Sequence, residues 1–201
     1  MPIKSFNAEE LLYHFITLLI IVTFGSGFTR LFASAFSKTK PDGEEASFEF
    51  NPLANLDILG TIVFILGGFG WGRQVDDQKI RFKRQKLGWF LISLIAPYAS
   101  LTLALSAGYI QHFFWTDRVV EVLISVSVAV TAYHIIPIPP LFGSRLIYLV
   151  LPGERVWRIY SRMGPYIILA LVLVERILGV PFLQETVAPV LDLVMRFAVY
   201  H

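Results

Sequence analysis

The stretch that decides the fold class is LLYHFITLLIIVTFGSGFTRLFASAF, residues 11–36. Arg30 is its only formal charge, and its length is enough for an α-helix to cross the roughly 30 Å hydrocarbon core of a bilayer. Glu9 and Glu10 precede it, and the apolar run is longer than the core of a cleavable signal peptide, so we expect this helix to be retained. The sequence therefore predicts a first membrane-spanning helix.

The composition of the whole chain agrees with that prediction. Of 201 residues, 55% are hydrophobic and only 16% are charged, and the mean hydropathy is +0.63. So few charges cannot cover a globule with polar surface, which argues against a water-soluble enzyme and against a disordered chain. The formal net charge of +2 does not suggest a nucleic-acid partner, and the absence of cysteine excludes disulfides and thiolate metal sites. We expect one all-α, polytopic membrane domain over residues 1–201.

Further apolar runs follow the first helix and predict about six membrane helices. Glycine and proline divide these runs, and a short helical piece is expected at 145–150 after a proline cluster. We also expect a short extended element around residues 47–56. The predicted helices cover residues 11–36, 57–71, 87–110, 119–138, 163–180 and 182–200.

Basic residues are concentrated between the predicted helices. The segment 73–86 forms a basic loop, residues 154–162 form a second basic stretch, and the loop at 37–50 is acidic. The positive-inside rule then places both basic stretches and both termini in the cytoplasm. An alternative is that these residues only bind anionic lipid headgroups. The basic loop contains Arg73, Lys79, Arg81, Lys83, Arg84 and Lys86.

Four short motifs occur in a fixed order along the chain. They are FNPL at 50–53 followed by Asp57, Gly60 and Thr61; FGWG at 69–72; LISLIAP at 91–97; and HIIPIPPLFGSR at 134–145. This pattern resembles the site-2 protease family of intramembrane zinc metalloproteases, in the short form without a PDZ domain. The resemblance implies that fold, a prokaryotic inner (plasma) membrane, and a remnant groove. The groove residues would be Asn51, Pro52, His134, Pro137, Pro139, Pro140, Phe142 and Gly143.

The zinc ligands that the resemblance implies are missing. Active members supply H-E-x-x-H and an aspartate, but no histidine lies between His14 and His112, and the corresponding helix reads TFGSGFTRLFA at 23–33. Phe142 stands at the position of the aspartate, where we expect its ring to fill the space. We therefore predict no catalytic residues and no zinc. The expected function is that of a pseudoprotease, a binding or structural subunit that holds other transmembrane proteins in a complex.

Two other functions remain open at the level of sequence. An active metalloprotease with non-standard ligands would draw on His14 and His134. A small transporter would need intramembrane charges such as Arg30 and the Glu175-Arg176 pair. We expect instead that His134 hydrogen-bonds a carbonyl freed by Pro137 and that Arg30 extends to the interface, although Arg30 could pair with Asp57.

Overall fold

The computed structural model describes residues 8–38, 51–76, 80–114, 117–150 and 153–199. Of these described residues 79% are helical and none forms a β-strand, so the all-α prediction is confirmed. A single 3₁₀ turn, Leu53–Asn55, precedes the second helix. The helices are α1 Ala8–Phe36, α2 Ile58–Gly67, α3 Gln85–Ser93, α4 Ile95–Phe113, α5 Arg118–Tyr133, α6 Gly143–Val150, α7 Glu154–Leu178 and α8 Phe182–Val199.

The predicted number of about six membrane spans is not confirmed. Two segments are long and apolar enough to cross a bilayer: α1, and the 29-residue stretch formed by α3 and α4. The α7–α8 pair, bent by 104°, adds a third if it counts as one span. At 1.5 Å per residue, α2 is about 15 Å long and α5 about 24 Å, both shorter than the hydrocarbon core.

Local chemistry explains where the helices begin and end. Asp57 caps α2 by accepting a hydrogen bond from the backbone of Gly60 at 2.8 Å, and Gly68 ends that helix in the left-handed region at φ 76°. Asp117 caps α5 in the same way. Pro97 cannot donate to the preceding turn, and α3 and α4 are separated at Leu94 just before it.

Several observed boundaries differ from the predicted ones. The segment predicted at 119–138 ends as a helix at Tyr133, and the segment predicted at 57–71 ends at Gly67. The second basic stretch is not a loop, because α7 already begins at Glu154. Hydropathy detects only the apolar part of α7, whereas the polar first turns are helical and largely exposed.

The predicted extended element does not form a strand in its described part, residues 51–56. Residues 53–55 make the 3₁₀ turn, and only Leu56 pairs with Gly72 in one antiparallel bridge. Residues 47–50 lie outside the described residues, as does Lys79 of the basic loop.

Helix α5 occupies the centre of the fold. It packs against α1, α4 and α8, and its buried residues include Val126, Ala129 and Val130. Together with α1 and α2 it forms the main hydrophobic core, in which the rings of Phe69 and Tyr133 stack 3.7 Å apart. This arrangement places the end of α5, with His134, directly beside the middle of α1.

Candidate functional site

A small cavity lies where the middle of α1 faces α4 and the end of α5. Its volume is about 50 Å³, and we call it the polar pocket. Gly25 of α1 faces Ala96 of α4, where a Cβ would make an ordinary van der Waals contact of 3.7 Å with the Cβ of Ala96. The pocket is lined by Ile21, Val22, Gly25, Ser26, Thr29, residues 70–75, Trp89, Ile92, Ser93, Ala96, Ser100, Val130, His134, Pro140 and Arg145.

His134 is buried in the wall of this pocket. Its Nδ1 donates to the carbonyl of Val130 at 2.7 Å. A carbonyl oxygen can only accept, so Nδ1 carries the proton and Nε2 is the acceptor of the neutral ring. The predicted hydrogen bond from His134 to a backbone carbonyl is confirmed, but the predicted acceptor was wrong. The carbonyl that Pro137 leaves free belongs to Tyr133, and it accepts from the backbone of Ile136 at 3.1 Å.

Only part of the proline-rich segment 137–140 lines the polar pocket. Pro140 lines the pocket with His134, and a cis peptide bond joins Pro139 to Pro140. The Pro137 carbonyl, on an exposed residue, accepts from the hydroxyl of Tyr160. The backbone of Gly143 donates to the carbonyl of His134 at 2.7 Å, which folds the segment back on itself.

Phe142 does not occupy the polar pocket. Its half-buried ring packs against Phe90, with the two ring centroids 5.4 Å apart. The expectation that this ring fills the site was therefore wrong. Because Phe90 lies on α3, this contact ties the proline segment to that helix.

Asn51 and Pro52 also lie apart from the polar pocket. Asn51 is exposed; its Oδ1 accepts from the backbone of Leu53, and its carbonyl accepts from the side-chain amide of Asn55. Asn55 is fully buried, and its Oδ1 accepts from Arg30 at 2.9 Å. Asn51 thus supports the turn that holds Asn55 instead of lining a groove with His134.

Arg30 is half-buried and does not form the ion pair with Asp57 that the sequence left open. It donates to Asn55, while Asp57 accepts from the indole Nε1 of Trp71 at 3.0 Å. The backbone of Arg73 donates to the carbonyl of Asn55 at 2.7 Å. Asn55 therefore connects α1 to the extended run 70–75, and sequence spacing alone gives no signal for this role.

Arg145 is a further wall residue that the sequence analysis did not identify as a site residue. Its guanidinium carbon lies 4.7 Å from the ring centre of Trp157, 5.0 Å from that of Trp89 and 5.7 Å from that of Tyr148. These are cation–π distances. The aromatic cage holds the guanidinium at the edge of the polar pocket, and its rings come from α3, α6 and α7.

The residues of the polar pocket do not fit a zinc ion. His134 is the single imidazole in the lining, the lining contains no carboxylate, and the hydroxyls of Thr29 and Ser100 already donate to helix carbonyls. Zinc sites in proteins use three or four nitrogen, sulfur or carboxylate ligands. In the part of the chain that the structure describes, no group of three His, Asp or Glu side chains could hold a metal.

The other histidines lie elsewhere. His14 is half-buried on the first turns of α1, where its Nδ1 hydrogen-bonds the carbonyl of Glu10 at 2.8 Å. It does not share the polar pocket with His134. His112 is exposed near the end of α4, with its ring 4.6 Å from that of Phe113.

The Glu175-Arg176 pair lies at the bend between α7 and α8. The Glu175 carboxyl group lies near the backbone of Leu183 and Gln184, in the first turn of α8. Both residues of the pair line a cavity of about 250 Å³ that is separate from the polar pocket.

Comparison with known proteins gives one informative similarity. The chain is 29% identical over 126 residues to a protein of Bacillus subtilis (strain 168) named "Putative zinc metalloprotease YwhC". This similarity supports a site-2 protease-like relationship. The match covers 56% of this chain, which spans about 58% of the length of that relative. No protein-family model matches the chain, and no solved structure matches it.

Proposed function

We propose that this protein is a catalytically inactive, site-2 protease-like membrane protein that acts by binding other transmembrane segments. The observation that carries the proposal is the chemistry of the polar pocket. Gly25 and Ser26 line the pocket and belong to the stretch 23–33, which the resemblance matches to the ligand-bearing helix of the family, and neither residue is a zinc ligand.

The extended run 70–75 supports a binding role. Six consecutive residues of this run line the polar pocket, and its backbone pairs with residues 55–56 at Gly72 and Arg73. Extended backbone beside a cavity is the geometry on which a peptide can add as a further strand. The cavity itself has room for water but not for a large side chain. A bound segment would therefore lie along the mouth of the pocket.

The proposal places the protein in a prokaryotic inner (plasma) membrane, which the helices long enough to span a bilayer support. The predicted orientation, with both termini and both basic stretches in the cytoplasm, does not fit the structure: the backbone of Lys38 donates to the carbonyl of Arg81, so the end of α1, and not its start, lies beside the basic loop. A partner would be another membrane protein, with this chain as a subunit of its complex. Gly25 of α1 faces Ala96 of α4, and small residues of this kind suit helix packing within a membrane.

The second candidate is an active zinc metalloprotease with non-standard ligands, and the name of the Bacillus relative favours it. Metal analysis of the detergent-purified protein separates the two. We expect zinc well below one equivalent in the wild type. Zinc near one equivalent that is lost in His134→Ala but kept in His112→Ala would overturn the proposal and support the metalloprotease.

Binding is tested by a photo-crosslinking amino acid at Gln74, which lines the pocket mouth, with Leu193 on the exposed face of α8 as the control position. Crosslinking is done in native membranes, and products are identified by mass spectrometry. We expect a defined membrane protein to be captured from position 74 and not from position 193. Equal capture of the same proteins from both positions would contradict a binding site at the pocket.

A further inference from the structure

A second cavity, much larger than the polar pocket, lies on a different face of α1. It has a volume of about 910 Å³ and runs between α1 and the α3–α4 pair. Phe24, Phe28, Phe32 and Phe36 form a ladder along one wall, and Leu91 and Ile95 lie on the other. We call it the aromatic groove. Phe36 and Leu91 are more than half exposed, so the groove is open to its surroundings.

We propose that the aromatic groove binds an anionic phospholipid, with an acyl chain along the phenylalanine ladder and the phosphate at Arg81, Lys83 and Arg84. The inference is independent of the pocket chemistry described above. It rests on three observations: the length of the ladder, the charge at one end of it, and a buried donor beside that end.

The length of the ladder matches the depth of one leaflet. Phe24 and Phe36 are twelve residues apart on one helix, which corresponds to about 18 Å along the axis. Half of the hydrocarbon core is roughly 15 Å. An acyl chain lying along the ladder would therefore end near Phe24, in the middle of the membrane, and its headgroup would lie near Phe36.

The end of the ladder at Phe36 is basic. The backbone of Lys38 donates to the carbonyl of Arg81 at 2.8 Å, which fixes the end of α1 beside the segment 80–86. Arg81, Lys83 and Arg84 are exposed there, and this segment contains no acidic residue. Phe82, between two of these cations, lines the groove. Charge and apolar surface thus meet at the depth where a phospholipid carries its phosphate.

A polar cavity of about 310 Å³ adjoins the groove at Phe82. Arg81 and Arg158 line it together with Glu154, and so does Trp89, whose ring meets Phe82 edge-on at 5.3 Å. Trp89 is buried, and its Nε1 has no hydrogen-bond partner in the described structure. A buried N–H normally has an acceptor, and two arginines nearby favour an anionic one.

These observations favour a lipid over a protein segment in the groove. A transmembrane helix could cover the same apolar surface, but it does not require an anion at the headgroup level. An anionic phospholipid carries both the apolar chain and the phosphate on one molecule. The basic residues at the end of the groove therefore gain a phosphate to bind when the occupant is an anionic phospholipid.

The test is native mass spectrometry of the full-length protein with equal amounts of phosphatidylglycerol and phosphatidylcholine that share the same acyl chains. We expect the wild type to retain phosphatidylglycerol preferentially. Arg81→Gln should reduce that preference about fivefold, because a basic residue near a membrane surface contributes on this scale. Arg196→Gln is the matched control, since Arg196 is exposed on α8 and is not part of the groove. It should leave the preference unchanged.

The groove itself is tested by filling it. Ala99→Phe, or Ser106→Phe if the first variant does not fold, places a ring in the groove, and Leu105→Phe adds a ring on the same helix outside the groove lining. Circular dichroism and gel filtration establish folding. The filled variants should lose both lipids, and the control should keep them. Equal retention of the two lipids by the wild type overturns the proposal. So does a co-purifying membrane protein that Ala99→Phe removes while lipid retention is unchanged.

Discussion

The two faces of α1 present opposite chemistry to two cavities. Ile21, Gly25 and Thr29 face the polar pocket, whereas Phe24 and Phe28, one residue out of step, face the aromatic groove. Both sets recur every four residues, which is the spacing that places side chains on one helix face. We call the face toward the polar pocket the inner face and the face toward the aromatic groove the outer face. Residues of the inner face lie close to other backbone, whereas the outer face carries large rings beside an open cavity. One helix therefore serves a packed site on one side and the membrane on the other.

This difference shows what each face tolerates. On the inner face, backbone meets backbone: Gly72 lies against Ser26 and Val22 of α1, and a Cβ on Gly72 would overlap the Ser26 hydroxyl. On the outer face, aromatic rings contact one another, with Phe28 and Phe32 centroids 6.4 Å apart. Substitutions that add a single carbon should therefore be costly near the inner face.

The largest effect is expected for Gly60→Ala. A Cβ at Gly60 of α2 would overlap the carbonyl oxygen of Trp71, so the run 70–75 must move away from α2. We expect the free energy of unfolding in a detergent–SDS titration to fall by about 3 kcal/mol, as for overpacking in a close-packed region. Gly153→Ala is the control, because no atom lies within 4 Å of its Cβ position. Equal stability of both variants would show that the inner face is loosely packed.

Much of the helical fold could be predicted from the sequence, because hydropathy and helix-ending residues act locally. The run 11–36 corresponds closely to α1, and Asp57 begins α2 as its motif suggested. The number of spans could not be obtained in this way. Hydropathy does not distinguish a helix buried inside the protein, such as α5, from one that crosses the bilayer, and it cannot detect a 104° bend at residues 179–181.

The candidate site was predictable only in part. His134 and Pro140 line the polar pocket, in agreement with their place in one motif, but Asn51 and Phe142 do not. The motif shows which residues are adjacent in sequence, but it does not specify the direction in which the Phe142 ring points. Asn55 and Arg145 act through partners on other elements, Arg30 and Trp157 among them. Such long-range pairs leave no periodic signal in a single sequence.

A smaller effect is expected for Arg145→Gln at the edge of the polar pocket. The substitution removes the cation from three aromatic rings, and we expect a loss of about 2 kcal/mol in the free energy of unfolding. Tryptophan emission should shift as well, because Trp89 and Trp157 lose a charge beside their rings. Arg145→Lys keeps the charge but lacks the planar group, so its free energy of unfolding should lie between those of the wild type and Arg145→Gln. A glutamine variant as stable as wild type would mean that the cage contributes nothing.

The smallest effect, and the only gain, is expected for Thr17→Val on the buried face of α1. Thr17 is fully buried, and its hydroxyl has no hydrogen-bond partner in the described structure. Valine has nearly the same shape, so the change removes an unsatisfied polar group without opening a cavity, and we expect a gain of about 1 kcal/mol in the free energy of unfolding. Thr23→Val is the matched control on the same helix. The Thr23 hydroxyl donates to the carbonyl of Leu19 at 2.6 Å, so its loss should bring no gain. If Thr17→Val destabilises the protein as a buried hydrogen-bond deletion does, its hydroxyl has a partner such as a bound water, and the inner face of α1 is wetter than its packing indicates.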